Sequence, residues 1–179
     1  MPLQIINSFA TWILKKRIHQ MELFLKYPYE VQEELLFSLI KSAEATQIGK
    51  KYDFSSVKNY TTFSERVPIA SYEELEPLIE LTRKGEQNVF WHSNIKWFAK
   101  SSGTTKAKSK FIPVSAEALE NCHYKASKDL LCLFLNNNED SQLFTGKSLR
   151  LGGSKQLYED NNTFFGDLSA ILIDNMPIW

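Results

Sequence analysis

The sequence predicts an α/β protein in which N-terminal helices pack on a mixed β-sheet. Three observations carry that expectation. Apolar residues recur at helical spacing through roughly the first 45 positions. Two short runs rich in aromatic and β-branched residues, "NIKWFAK" and "KFIPVS", then bracket a loop of small hydroxylated residues. Further on, apolar runs alternate with Gly- and Asn-rich breaks, as in "SLRLGGSKQLY" and "FFGDLSAILIDN".

With 179 residues the chain is long enough for one domain with its own core. Lys plus Arg equals Asp plus Glu at 21 each. No global field therefore favours nucleic acid or an anionic membrane, and neither is expected as a partner. Any anion site must be local, which gives a lysine cluster more meaning here than in a basic protein. Cys122 and Cys132 fall ten residues apart in one expected helix. A rise of ~1.5 Å per residue separates them by about 15 Å, too far for a disulfide. Reduced thiols point to the cytoplasm. The apolar start "MPLQIINSFATWIL" has no basic n-region, and Lys15, Lys16 and Arg17 end it short of the ~20 residues a membrane span needs. It is expected to be the first core helix.

Taken in order, Ile5, Ile6, Phe9, Trp12, Ile13 and Leu14 open a helical pattern that continues through Ile18, Met21, Phe24 and Leu25 to Pro28. A second helix is expected from about Tyr29 to Ala45, its face carrying Val31, Leu35, Leu36, Leu39 and Ile40, with termination near Gly49. The Ser/Thr/Asn-rich stretch that follows reads as loop. Ser71 and Glu74 then form a capping box, each side chain satisfying an orphan amide of the first turn. Pro77 should bend or divide that helix, and Lys84-Gly85 should end it. After the two strands, Ser115 and Glu117 start a helix of about Ala116 to Leu135. "YEDNN" reads as another loop.

The loop itself, Ser101-Ser102-Gly103-Thr104-Thr105, is followed by Lys106, Lys108 and Lys110 at alternate positions. Anion cradles need converging backbone amides, small side chains that do not crowd them, and a compact positive charge. All three parts are present. The pattern is not a P-loop, because position 108 is Lys instead of the second Gly, and it lies between two strands instead of before a helix. The alternative is a solvated hairpin tip whose lysines protect a sheet edge. The motif alone leaves both open.

"FAKSSGTTKAKSKFIPVS" resembles the first nucleotide motif of the auxin-responsive Gretchen Hagen acyl-acid amido synthetases, bacterial-type members included, within the adenylate-forming superfamily. The upstream "ERVPIASYEELEPLIELTRKGEQNVFW" and the downstream "LRLGGS" and "FFGDLSAILIDNMPIW" also fit, so the likeness runs from about residue 30 onward. It implies the N-terminal part of an adenylate-forming fold and a C–N bond-forming ligase that uses ATP and Mg2+. An acyl acid would attack the α-phosphate of ATP, and an amino acid would then displace AMP to give an amide. The small-molecule partners implied are that acyl acid and amino acid. By the same resemblance Ser101, Ser102, Gly103, Thr104 and Thr105 would hold the ATP phosphates, Lys110 would match the motif's closing lysine, and Lys108 would be a further phosphate contact. Ala107 stands near where the family usually has a glycine, which restricts the loop backbone.

The family's later motifs, for adenine with magnesium and for ribose, do not occur before Trp179. Residues 1–179 are therefore expected to be the N-terminal portion of the large adenylate-forming domain. The C-terminal domain is a missing partner from the same protein, and this chain is expected to be inactive alone. His123 borders the acyl-acid pocket by the resemblance; a locally bonded helix histidine is the plainer reading. No metal site is expected from His19 or His92, which have no partners at ligand spacing. Phe90, Trp91, Trp97 and Phe98 form an aromatic cluster, for which core packing is the ordinary fate. Rival readings are an acyl-CoA ligase of the same superfamily, a non-catalytic nucleotide-binding fragment, and a truncated product.

Overall fold

The computed structural model describes residues 2–101, 109–147, 149, 156–160 and 162–176. In chain order the elements are α1 (Pro2–Lys15), α2 (Ile18–Lys26), α3 (Pro28–Ala43), α4 (Gln47–Lys51), a 3-10 turn (Phe54–Ser56), α5 (Tyr60–Arg66), α6 (Tyr72–Arg83), β1 (Trp97–Lys100), β2 (Phe111–Val114), α7 (Ala116–Ala118), a π-helical stretch (Leu119–Tyr124), α8 (Lys125–Asn137), β3 (Leu157–Asp160), β4 (Thr163–Gly166) and α9 (Leu168–Asp174). The chain divides into two units, Met1–Gln32 with Glu117–Leu151, and Glu33–Ala116 with Gly152–Trp179. Among the described residues no helix is long and apolar enough to cross a membrane.

In the first unit, α1 and α2 pack against α8. The single helix expected from Ile5 to Leu25 is in fact two, and the break has a tertiary cause. At the turn between them the Leu14 carbonyl accepts the Arg17 amide at 3.0 Å and the buried Cys132 thiol at 2.8 Å. Arg17 in turn forks onto Asp129, with Nε–Oδ1 at 2.7 Å and Nη2–Oδ2 at 3.2 Å. Burial first, and the Asp129 carboxylate second, push the Cys132 thiol above its ordinary range, so it keeps the proton it donates. Asn7 is buried and satisfied at both ends, donating to the Ser141 carbonyl and accepting the Phe144 amide. Cys122 is exposed and Cys132 buried, both free thiols as the spacing required. The helix expected over 116–135 is present but not uniform, since six residues wind as π-helix.

The second unit holds the sheet, in the order β2-β1-β4-β3. β1 pairs antiparallel with β2 and parallel with β4, and β4 pairs antiparallel with β3, so the sheet is mixed as expected. Glu159 and Asp160, read from sequence as loop, are strand residues paired with Phe164 and Thr163, and Tyr158 pairs with Phe165. Asn162, in the left-handed region at φ 61°, makes the turn of that hairpin. One core cluster joins Ile40 and Ala43 of α3 to Phe54 and Val57; another joins Ile79 of α6 to Ile95 and Phe98. Trp91 packs against both, and Phe98 is completely buried, so these members of the aromatic cluster serve the core.

The stretch before α6 is not a loop. Thr46 caps α4 by accepting the Gly49 amide, and Asn59 caps α5 by accepting the Thr62 amide. Gly49 is inside α4, beyond the predicted stop. The capping box on α6 is present: Glu74 N–H donates to Ser71 Oγ at 3.3 Å, and Ser71 N–H donates to Glu74 Oε2 at 2.7 Å. Pro77 does not divide the helix. It would have donated to the carbonyl of Glu73; both residues are exposed, so the lost bond does not leave a buried orphan. At the other end Gly85, at φ 97°, closes a Schellman motif, with Gly85 N–H on the Thr82 carbonyl and Glu86 N–H on that of Leu81. Replacing Ser71 by alanine is expected to cost about 1 kcal/mol of stability, read from urea unfolding. An unmoved midpoint would show that the box contributes nothing.

Candidate functional site

The loop predicted to carry the chemistry leaves the sheet at the carboxyl end of β1. Because β1 and β4 are parallel, with Ala99 opposite Gly166, the carboxyl end of β4 lies beside it. In open α/β sheets this is the end at which ligands bind. The neck of the loop is closed by two hydrogen bonds, one that continues the β1–β2 ladder and one to a side-chain hydroxyl. Ser101 N–H donates to the Lys110 carbonyl at 2.9 Å, and Lys110 N–H donates to Ser101 Oγ at 3.3 Å. Ser101 is exposed and Lys110 partly so. Ser102, Gly103, Thr104, Thr105 and Lys108, with Lys106 and Ala107 between them, lie outside the described residues.

The side of the neck is formed by the first turn of α6. Tyr72 Oη accepts the Phe111 amide at 3.0 Å, fixing the start of β2 to the helix. The Lys110 ammonium stands 4.7 Å from the centre of the Tyr72 ring and 2.7 Å from Glu73 Oε1. That bond from Lys110, followed by the carboxylate's own backbone amide, holds Glu73 below the usual carboxylate range. Phe111 is held from the other side by the Arg83 guanidinium, 3.8 Å from its ring centre, and by the edge of Phe165. The neck is thus fixed by backbone pairing, one phenol and one aromatic pair.

Ser101 therefore stands opposite Lys110 through backbone pairing, while the Lys110 side chain turns to Glu73. His123 is not in this unit. It sits half-buried in the π-helical stretch of the other unit, and its carbonyl accepts the Ser127 hydroxyl at 3.0 Å. Sequence reasoning missed Tyr72 and Glu73. Their only sequence signal was the capping box around them, which speaks of helix initiation and not of a lysine 37 positions later. Among the described residues no group of three His, Cys, Asp or Glu is placed to hold a metal. A cleft of about 490 Å3, lined by Gln87, Asn94, Lys96, Asn162 and Phe164 among others, lies at the amino ends of β1 and β4. Its position relative to the strands argues against it as the site of chemistry.

Residues 17–178 match the N-terminal domain of the GH3 family. The chain belongs to that family. This GH3 chain is 27% identical over 143 residues to jasmonoyl-L-amino acid synthetase JAR4 of Nicotiana attenuata, covering 78% of this chain and 24% of that protein. It is 30% identical over 106 residues to indole-3-acetic acid-amido synthetase GH3.2 of Arabidopsis thaliana, covering 59% of this chain and 19% of that one. Its fold is that of the solved GH3.15 acyl acid amido synthetase, with a TM-score of 0.77 at 20% identity over 92% of this chain and 29% of the other. The family and the α/β fold expected from the loop are both borne out. This GH3 chain spans only about a quarter to a fifth of the length of these two relatives.

Proposed function

We propose that this chain supplies the phosphate-binding loop of an acyl-acid amido synthetase. In this reading a carboxylate oxygen attacks the α-phosphate of ATP and pyrophosphate leaves, giving an acyl-adenylate. The amine of an amino acid then attacks the acyl carbon, AMP leaves with the electron pair of the broken C–O bond, and the amine gives up a proton. The observation that carries the reading is the neck, where the backbone of Lys110 pairs with Ser101 at the carboxyl end of β1. Membership of the GH3 family, and the amido and amino acid synthetase activities its relatives are named for, point the same way.

The roles follow from chemistry. The reaction needs charge neutralisation on the phosphates and orientation of two reactants more than it needs a strong acid or base. Backbone amides of residues 102–105 and hydroxyls of Ser101, Ser102, Thr104 and Thr105 would bind phosphate oxygens, with Gly103 allowing the chain to approach. Lys110, and Lys108 beside it, would offset developing negative charge on the leaving group. Magnesium would lower the charge of the triphosphate, and no step here is routed through it. The exposed Cys122 thiol suits a reducing compartment, and the cytoplasm is the proposed location.

The test is ATP–pyrophosphate exchange with the full chain of the protein. Exchange is expected only when a carboxylic acid is present, with amide formed on adding an amino acid. Consumption of coenzyme A instead would make it an acyl-CoA ligase. ATP binding with no carboxylate-dependent exchange would reduce it to a nucleotide-binding module.

A further inference from the structure

The first turn of α6 touches Lys110 or its neighbour in three ways: the Tyr72 hydroxyl holds the Phe111 amide, the Tyr72 ring lies under the ammonium, and Glu73 Oε1 bonds the ammonium at 2.7 Å. Two of the three fall on the Lys110 ammonium itself, more than strand–helix packing requires. We propose that Glu73 is the resting partner of Lys110, holding the ammonium beside the neck of the loop and giving it up when a triphosphate arrives. The inference rests on the reading that the loop binds ATP phosphates, and it assigns a positioning role to a residue that makes no phosphate contact itself.

Several features suit a partner that must be released. The pair is accessible, with side-chain exposures of 41% for Lys110 and 67% for Glu73, so a polyanion can reach the ammonium without disturbing the core. An exposed ion pair in water is weakly held, whereas a polyphosphate offers several charged oxygens to the same donors. Tyr72 is anchored independently of the charge, because its hydroxyl is committed to a backbone amide. The ammonium can therefore pivot over a fixed ring while the neck stays closed by its two backbone donors. Glu73 also carries the same sign as the incoming phosphates. Its charge opposes binding twice, by occupying the lysine and by repulsion. The gain is a lysine kept near the loop instead of swinging through solvent.

A double-mutant cycle on the full chain tests this, with ATP and inorganic tripolyphosphate as probes in calorimetry. Glu73→Gln keeps the shape and removes the charge. It is expected to tighten binding about three- to tenfold when Lys110 is present. In the Lys110→Ala background the same substitution is expected to give little or no gain. Weaker or unchanged binding by Glu73→Gln would overturn the proposal while leaving the ATP site intact. An equal gain in both backgrounds would do the same, since it would report only general repulsion. If the parent chain bound neither probe, the nucleotide reading would fall and the clamp with it.

Discussion

Replacing Lys110 by alanine is expected to weaken ATP binding by about ten- to a hundredfold and to leave thermal stability nearly unchanged. The first number follows from the loss of a charge-assisted hydrogen bond to phosphate, worth about 1.5–3 kcal/mol, at 1.4 kcal/mol per decade. The second follows from the site's construction. Ser101 N–H bonds the backbone carbonyl of Lys110, and the Phe111 amide bonds Tyr72, so neither tie depends on the lysine side chain. What the folded chain loses is an exposed ion pair with Glu73 and a contact with one ring, and such surface pairs add little to stability. Calorimetry with ATP and a thermal melt separate the two effects. Unaltered affinity would remove Lys110 from the site. Weakened affinity accompanied by a large drop in melting temperature would make the lysine a structural residue, and the nucleotide argument would lose its main side chain.

Where the sequence was legible, the signal was local. Ser71 and Glu74 announced the start of α6 and Lys84-Gly85 its end, because capping is decided within one turn. β1 and β2 were legible because aromatic and β-branched residues flank a loop too polar to be strand. The misread elements were decided at a distance. The break between α1 and α2 depends on a thiol 118 positions downstream. α5 carries Thr61, Thr62 and Ser64, poor helix formers that read as loop, and it forms because Asn59 caps it and Phe63 and Val67 pack on the α3 cluster. Glu159 and Asp160 became strand through pairing with β4, which overrides their weak local preference. The candidate site divides in the same way. Its loop is a contiguous motif and was found; Glu73, 37 residues from the lysine it bonds, carries no signature beyond its place in a helical first turn.

Gly49 shows how a residue read for one property can matter for another, and its substitution is expected to cost more stability than any other discussed above. From sequence it was a helix terminator. In the structure it is buried inside α4, where alanine would ordinarily be preferred by about 1 kcal/mol. Its backbone is not in the left-handed region, so conformational freedom is not the reason for glycine. The reason is proximity. A Cβ at this position would lie 2.0 Å from the carbonyl oxygen of Ala43 and 2.7 Å from that of Glu44. Both are backbone atoms and neither can rotate away. The surrounding bonds also resist a shift: the Gly49 amide is the donor to the Thr46 cap, the Gln47 amide bonds the Asn88 carbonyl, and the Ile48 amide bonds that of Val89. Relief would have to come from moving α4 away from the end of α3, opening the cluster of Ile40, Ala43, Phe54 and Val57 against which Ile48 packs. Gly49→Ala is therefore expected to destabilise the chain by at least about 3 kcal/mol, the upper range for overpacking, with the sign opposite to helix propensity. Urea unfolding of the parent and the variant reads it directly. A variant as stable as the parent would mean that α4 and the end of α3 do not approach this closely in solution, and the Thr46 cap that sets their spacing would fall with it.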